Sequence, residues 1–132
     1  MSQLILKYQQ KLGETEFDVD LTLPSQGITA IFGRSGAGKT SLINAISGLK
    51  NPDSGQIEVS GKTLFDSSKG VNLPVHQRKV GYVFQESRLF PHMKVSSNLK
   101  YGVKTPDQLH FDQVVDLLSL RALKSHARLC FS

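Results

Sequence analysis

The chain has 132 residues, 39% of them hydrophobic and 20% charged, with a net charge of +5. This is the composition of one globular domain, not of a disordered or fibrous chain. It carries no apolar run of membrane-spanning length, no signal-peptide pattern and a single cysteine, Cys130, which together exclude an internal disulfide and point to the cytosol. The lysines and arginines are dispersed without a cluster of four, so the charge reads as a solvated surface and implies no nucleic-acid partner.

In chain order, Leu4-Ile5-Leu6-Lys7-Tyr8 reads as a strand. Phe17, Val19, Leu21 and Leu23 alternate with Glu16, Asp18, Asp20 and Thr22, the signal of a half-buried strand. Lys11-Leu12-Gly13-Glu14 suits the turn between them, and the two are expected to pair as an antiparallel hairpin. Gly27-Ile28-Thr29-Ala30-Ile31-Phe32 predicts a further strand. The glycines follow directly. Leu42, Ile46 and Leu49, at i, i+4 and i+7, then predict a helix.

After turn chemistry at Asn51-Pro52-Asp53-Ser54-Gly55, short strands are predicted from Gln56 to Val59 and from Lys62 to Phe65, joined by Ser60-Gly61. Residues 66–74 read as an irregular loop. Val80-Gly81-Tyr82-Val83-Phe84 is nearly all apolar, as a strand buried on both faces would be. The last third turns helical. Residues 95–101 predict a short helix stopped by Gly102. Thr105-Pro106-Asp107-Gln108 offers an N-cap, a proline at the first helical position and a capping-box glutamine for a helix whose apolar face is Phe111, Val114, Val115 and Leu118.

The chemistry sits where the third strand meets the first helix. Gly33, Arg34, Ser35, Gly36, Ala37, Gly38, Lys39, Thr40 and Ser41 fit G-x-x-x-x-G-K-[ST] in the strand–loop–helix context that the motif needs. Glycines allow backbone torsions closed to other residues and remove side chains that would block a phosphate. The loop N–H groups and the helix N-terminus form an anion nest. Lys39 can reach terminal phosphates, and the Thr40 hydroxyl can reach Mg²⁺. Gln85 lies just past the predicted strand at 80–84. There it serves either as a neutral ligand that holds Mg²⁺ and orients water or as a loop glutamine facing solvent.

The order and spacing of Ile31-Phe32-Gly33…Lys39-Thr40-Ser41-Leu42, Ile46-Ser47-Gly48-Leu49, Pro52-Asp53-Ser54-Gly55, Gly61, Arg78-Lys79-Val80-Gly81-Tyr82-Val83-Phe84-Gln85 and Leu89-Phe90-Pro91-His92 resembles the ATP-binding subunits of ABC importers. Within that family the chain looks most like the ATPase subunits of molybdate importers; those of sulfate, iron and polyamine importers share most of the motifs. The resemblance covers about residues 4–121. It implies an α/β fold: a P-loop NTPase core with an N-terminal antiparallel β hairpin and a C-terminal helical segment. The implied stretches are an antiparallel β part at 1–26, a P-loop core at 27–85, the start of a helical subdomain at 86–124 and an atypical tail at 125–132.

The resemblance also implies ATP and Mg²⁺ as cofactors, with residues 33–41 on the phosphates, Thr40 and Gln85 on the metal, and Gln85 sensing the γ-phosphate. It implies a membrane permease subunit as partner, docked along the stretch from Arg88 to Gly102. It implies a homodimer in the full assembly and a place on the cytoplasmic face of the membrane. An adenine-stacking aromatic is expected near Lys11-Leu12. Tyr8 and Phe17 are close by, Phe17 expected to be buried, and neither is assigned.

The family's LSGGQ-type signature, Walker B strand and switch histidine do not occur in these residues. His76, His92, His110 and His126 all precede the place of the last. The expectation is therefore a truncated domain that binds nucleotide with negligible hydrolysis, because phosphoryl transfer to water also needs a group that positions the water. A P-loop kinase or GTPase is the alternative; a GTPase would carry an N-K-x-D motif, which is absent here.

Overall fold

A computed structural model of the chain describes residues 3–86, 88–105 and 107–123. The chain forms two compact units, Met1–Val83 and Phe84–Ser132.

The first unit is built on an antiparallel sheet. Strand β1 (Gln3–Leu12) pairs with β2 (Thr15–Pro24) along its whole length, from Gln3 opposite Pro24 to Leu12 opposite Thr15. Gly13 and Glu14 close this hairpin, and Gly13 takes the positive φ of 63° that so short a connection requires. On its other edge β1 pairs with β3 (Ser54–Val59), which continues through β4 (Lys62–Asp66) to β5 (Val71–Asn72). The order is β2-β1-β3-β4-β5, every pairing antiparallel. The β3–β4 hairpin turns on Ser60 and Gly61, at φ 50° and 79°; two positive φ values in a two-residue loop match the right-handed twist of the strands they join.

Helix α1 (Lys39–Ser47) lies in the connection from β2 to β3 and packs on this sheet. Leu6 and Tyr8 of β1, Ile57 of β3, Leu64 and Phe65 of β4, and Leu42 and Ala45 of α1 form the core. Burial raises the pKa of the Tyr8 phenol. Along β1, Leu6, Tyr8 and Gln10 are buried while Lys7, Gln9 and Lys11 face solvent, the period of two expected of a one-sided sheet. On β4 that alternation breaks: Leu64, Phe65 and Asp66 are all buried. The register shift opposite Ile57 and Glu58 is the reason, since a bulge lets adjacent side chains turn the same way. The buried Asp66 carboxylate accepts from the Ser68 hydroxyl and from the Ser68 and Lys69 N–H groups. The Ser68 hydroxyl does most to hold its pKa below the usual carboxylate range.

Two predicted strands are absent. Residues 28–34 and 79–84 form no ladder, and Ile28, Phe32 and Val83 are 101%, 89% and 96% exposed. An apolar run becomes a buried parallel strand only with hydrogen-bonded neighbours to cover it, and no described strand lies beside either run. The described sheet is accordingly antiparallel throughout, and neither run adds a strand to it. The loop predicted at 66–74 contains β5. It is followed by the one-turn helix α2 (Val75–Arg78).

The second unit holds helix α3 (Val95–Lys100), helix α4 (Gln108–Leu117) and a 3-10 turn at Arg121–Leu123. Among its described residues, Val95 and Val115 are the buried apolar ones. The N-cap of α4 is Asp107, whose carboxylate accepts the His110 N–H at 3.0 Å, and not Thr105. Aspartate caps more strongly than threonine, and the cap moves to it. Pro106 and the tail at 125–132 lie outside the described residues. No helix of the described residues is long and apolar enough to cross a membrane.

Candidate phosphate-binding site

The phosphate loop runs from Gly33 into α1. Its tightest turn is held by the Ala37 N–H donating to the Arg34 carbonyl at 3.2 Å. Gly36 and Gly38 sit at φ 79° and 83° for different reasons. A Cβ on Gly36 would meet nothing within 4 Å, so only the backbone torsion demands glycine there. A Cβ on Gly38 would lie 2.6 Å from Cε1 of Phe17, so that glycine also makes room for the aromatic ring beneath the loop.

Gly38 is the N-cap of α1 and offers no side-chain hydrogen bond to it. The first N–H groups of a helix need an acceptor from outside the helix, and they carry its positive dipole end. Lys39 supplies the charge. Its Nζ donates to the carbonyls of Gly33 at 2.7 Å and Arg34 at 2.6 Å, so the ammonium is folded over the loop. An incoming phosphate would exchange those acceptors for its own oxygens. Ser35 and Thr40 are exposed and Ser41 is half-buried. Thr40, second residue of α1, presents a hydroxyl next to that ammonium in sequence.

No group of three or more His, Cys, Asp or Glu among the described residues could hold a metal ion. The donor set here suits a cation that takes one hydroxyl from the protein and its other oxygens from phosphates and water, the usual habit of Mg²⁺.

Gln85 is exposed, at a bend that opens the second unit. Phe17 is half-buried rather than buried. Its ring lies against Gly38 and also lines a cavity of about 340 Å³, together with Gln10, Lys11, Glu16, Asp18 and Asp53. Asp53 shapes that cavity, since its carboxylate accepts the Lys11 N–H at 2.6 Å while its own N–H donates to the Gln9 carbonyl at 2.9 Å.

Local pattern gave no warning of the role of Arg78. It is 4% exposed, and its guanidinium donates to the carbonyls of Ala45 (2.8 Å), Ile46 (3.1 Å) and Leu73 (2.7 Å) and to Asn72 Oδ1 (2.9 Å). Burial lowers its pKa, yet arginine stays charged in proteins. A cation thus closes the C-terminal end of the helix whose N-terminal end faces the phosphate loop. Gly48 leaves it space: a Cβ there would lie 2.7 Å from Nε.

In the second unit the Asn98 side chain fixes the stretch before α3. Its Oδ1 accepts the Phe90 N–H at 2.8 Å, and its Nδ2 donates to the carbonyls of Phe90, Met93 and Lys94 at 3.1–3.2 Å. Phe90 contacts His92 edge-on at 5.9 Å and Tyr101 at 4.4 Å, both measured between ring centroids. The result is an ordered, partly exposed aromatic cluster.

Comparison with known proteins adds a lineage. A family model described as "ABC transporter" matches residues 17–129. The molybdenum import ATP-binding protein ModC of Vibrio cholerae is 61% identical over 123 residues, 93% of this chain and 34% of that protein. ModC of Vibrio parahaemolyticus is 59% identical over 118 residues, covering 89% of this chain and 32% of that protein. ModC of Yersinia pestis is 50% identical over 120 residues, covering 91% and 33%. The chain spans about a third of the length of these curated relatives.

Proposed function

The chain belongs to the ABC transporter family, and from that premise we propose that it is the nucleotide-binding portion of an importer ATPase subunit that serves molybdate uptake. Residues 33–41 bind the phosphates of ATP. Lys39 places its charge on the β- and γ-phosphates, and the N–H groups at the start of α1 add an oriented dipole. Thr40 and Gln85 take Mg²⁺, and Gln85 holds the water near the γ-phosphate. The metal held there would supply positive charge against the phosphates.

In the whole protein that these residues belong to, hydrolysis drives transport, and the permease subunit docks along residues 88–102. The aromatic cluster of Phe90, His92 and Tyr101, held by Asn98, supports that surface. The whole protein works as a homodimer at the cytoplasmic face of the membrane. The helical segment from 86 onward is the start of its helical subdomain. These 132 residues contain no Walker B acid pair and no signature motif, so by themselves they bind nucleotide and do not turn it over at a useful rate.

One observation carries the nucleotide reading: an uncapped helix N-terminus at Gly38 with the Lys39 ammonium folded over the loop beside it. Thermal unfolding of the chain with and without Mg-ATP tests it. At a hundredfold excess over the dissociation constant, ATP raises the stability of the parent chain by about 2.7 kcal/mol. Lys39→Ala unfolds at the same temperature with ATP as without it. An equal ATP effect on both chains would sink the assignment.

A further inference from the structure

The hydrogen bonds that shape the phosphate loop close on the loop itself. The Ala37 N–H donates to the Arg34 carbonyl, and the Lys39 ammonium donates to the carbonyls of Gly33 and Arg34. None of these bonds reaches the sheet. Between loop and sheet lies a hollow of about 120 Å³. Its floor is Tyr8 and Gln10 of β1, with Val19 and Phe17 opposite them on β2. Its roof is Gly38 with its neighbours in the loop and in α1.

Phe17 spans that hollow. A Cβ on Gly33 would meet only Ala37 and Lys39, and one on Gly36 would meet nothing within 4 Å. On Gly38 it would meet the edge of the Phe17 ring, 2.6 Å from Cε1 and 2.9 Å from Cδ1. Of these three glycines, Gly38 is therefore the one that rests on the sheet. It is also the N-cap of α1, and the unpaired N–H groups that an anion would meet begin beside it. The next positions on this face of β2, Val19, Leu21 and Leu23, are aliphatic. The longer, rigid side chain stands at the one place where the strand passes under the loop.

A loop without support must order itself as the anion binds, and that cost is subtracted from affinity. Hydrogen bonds also weaken steeply as a donor turns away from its acceptor. We propose that Phe17 is a positioning residue for phosphate binding: its ring props Gly38 above the hollow and keeps the N–H groups at the start of α1 aimed at the anion before it arrives. This rests on the nucleotide-binding reading above. The prop acts on the loop, so a ligand without a base feels it as strongly as ATP does.

Calorimetric titration with Mg-ATP and with magnesium tripolyphosphate, which has three phosphates and neither base nor sugar, tests this. Phe17→Leu binds both about tenfold more weakly than the parent, the factor that corresponds to ordering one further backbone residue on binding. Phe17→Tyr keeps the ring and binds both as the parent does. Ile57→Val, a core change in β3 outside the hollow, lowers the unfolding temperature and leaves both affinities as they were. Should Phe17→Leu not fold, ¹⁵N relaxation of the parent without ligand decides: the Gly38 amide is as rigid as those of α1, and the Gly36 amide is looser. A Gly38 amide as mobile as that of Gly36 overturns the prop. So does a loss confined to ATP, which assigns the ring to the base, and so does an unchanged affinity for both ligands. A parent that binds ATP and not tripolyphosphate overturns it as well. A parent that binds neither ligand overturns the nucleotide-binding reading, and the prop with it.

Discussion

Gly55 shows how much a single missing side chain can determine. It pairs with Tyr8 where β1 and β3 run closest, at φ 110°. A Cβ there would lie 2.2 Å from the Lys7 carbonyl oxygen and 2.5 Å from the Tyr8 Cα, both backbone atoms that cannot move aside. Gly61 also has a positive φ, but a Cβ there would meet nothing within 4 Å. Gly61→Ala therefore costs only its strained torsion, about 1 kcal/mol, whereas Gly55→Ala adds a steric clash and costs at least about 3 kcal/mol. Urea denaturation of the two variants beside the parent measures both, and equal costs would refute the close approach. The sequence placed Gly55 in a turn, because turn composition is local. Its proximity to Tyr8 depends on a strand more than forty residues earlier in the chain. The loop at residues 33–38 leading into α1, by contrast, was legible as a motif, because its glycines and the helix that follows form one contiguous stretch.

Among the elements, α1 depends on its two ends. Its core face is small: Leu42, Ala45 and Ser47 are buried, while Ile43 remains 44% exposed. Isolated helices of this length are marginal in water, so docking and termini decide. Gly48, at φ 83°, returns its N–H to the Asn44 and Ala45 carbonyls, and Arg78 takes the Ala45 and Ile46 carbonyls. Arg78→Met keeps much of the volume and strands those acceptors, at a cost of about 2–4 kcal/mol. Hydrogen exchange should show the loss concentrated in the amides of α1, with those of the β1–β2 hairpin protected as before; uniform loss across the unit would argue against a cap. Periodicity identified α1, the β1–β2 hairpin, the β3–β4 pair and α4, since each carries its pattern within itself. It misread residues 27–32 and 80–84. An apolar run states a need for burial and says nothing of whether neighbours are present to provide it.

For the first unit as a whole, the connection order matters more than the layer count. The phosphate loop and α1 are inserted between β2 and β3, and the ladder from Leu4 opposite Val59 to Gln9 opposite Ser54 clasps the chain on either side of that insertion. The core is shared in the same way: Leu6 and Tyr8 come from before the loop, and Leu42, Ala45, Ile57, Leu64 and Phe65 from after it. Covalent continuity through residues 33–37 is therefore one connection among many. Arg34 is exposed at the loop's surface and open to trypsin. A chain nicked after Arg34 should elute from gel filtration as one species and come apart only in denaturant, and separation in native buffer would contradict it. The segment proposed to meet the nucleotide is then also a seam. The unit can be supplied as two complementary polypeptides, one carrying β1 and β2 and the other α1 and β3 onward, whose reassociation rebuilds the loop's helix against its sheet.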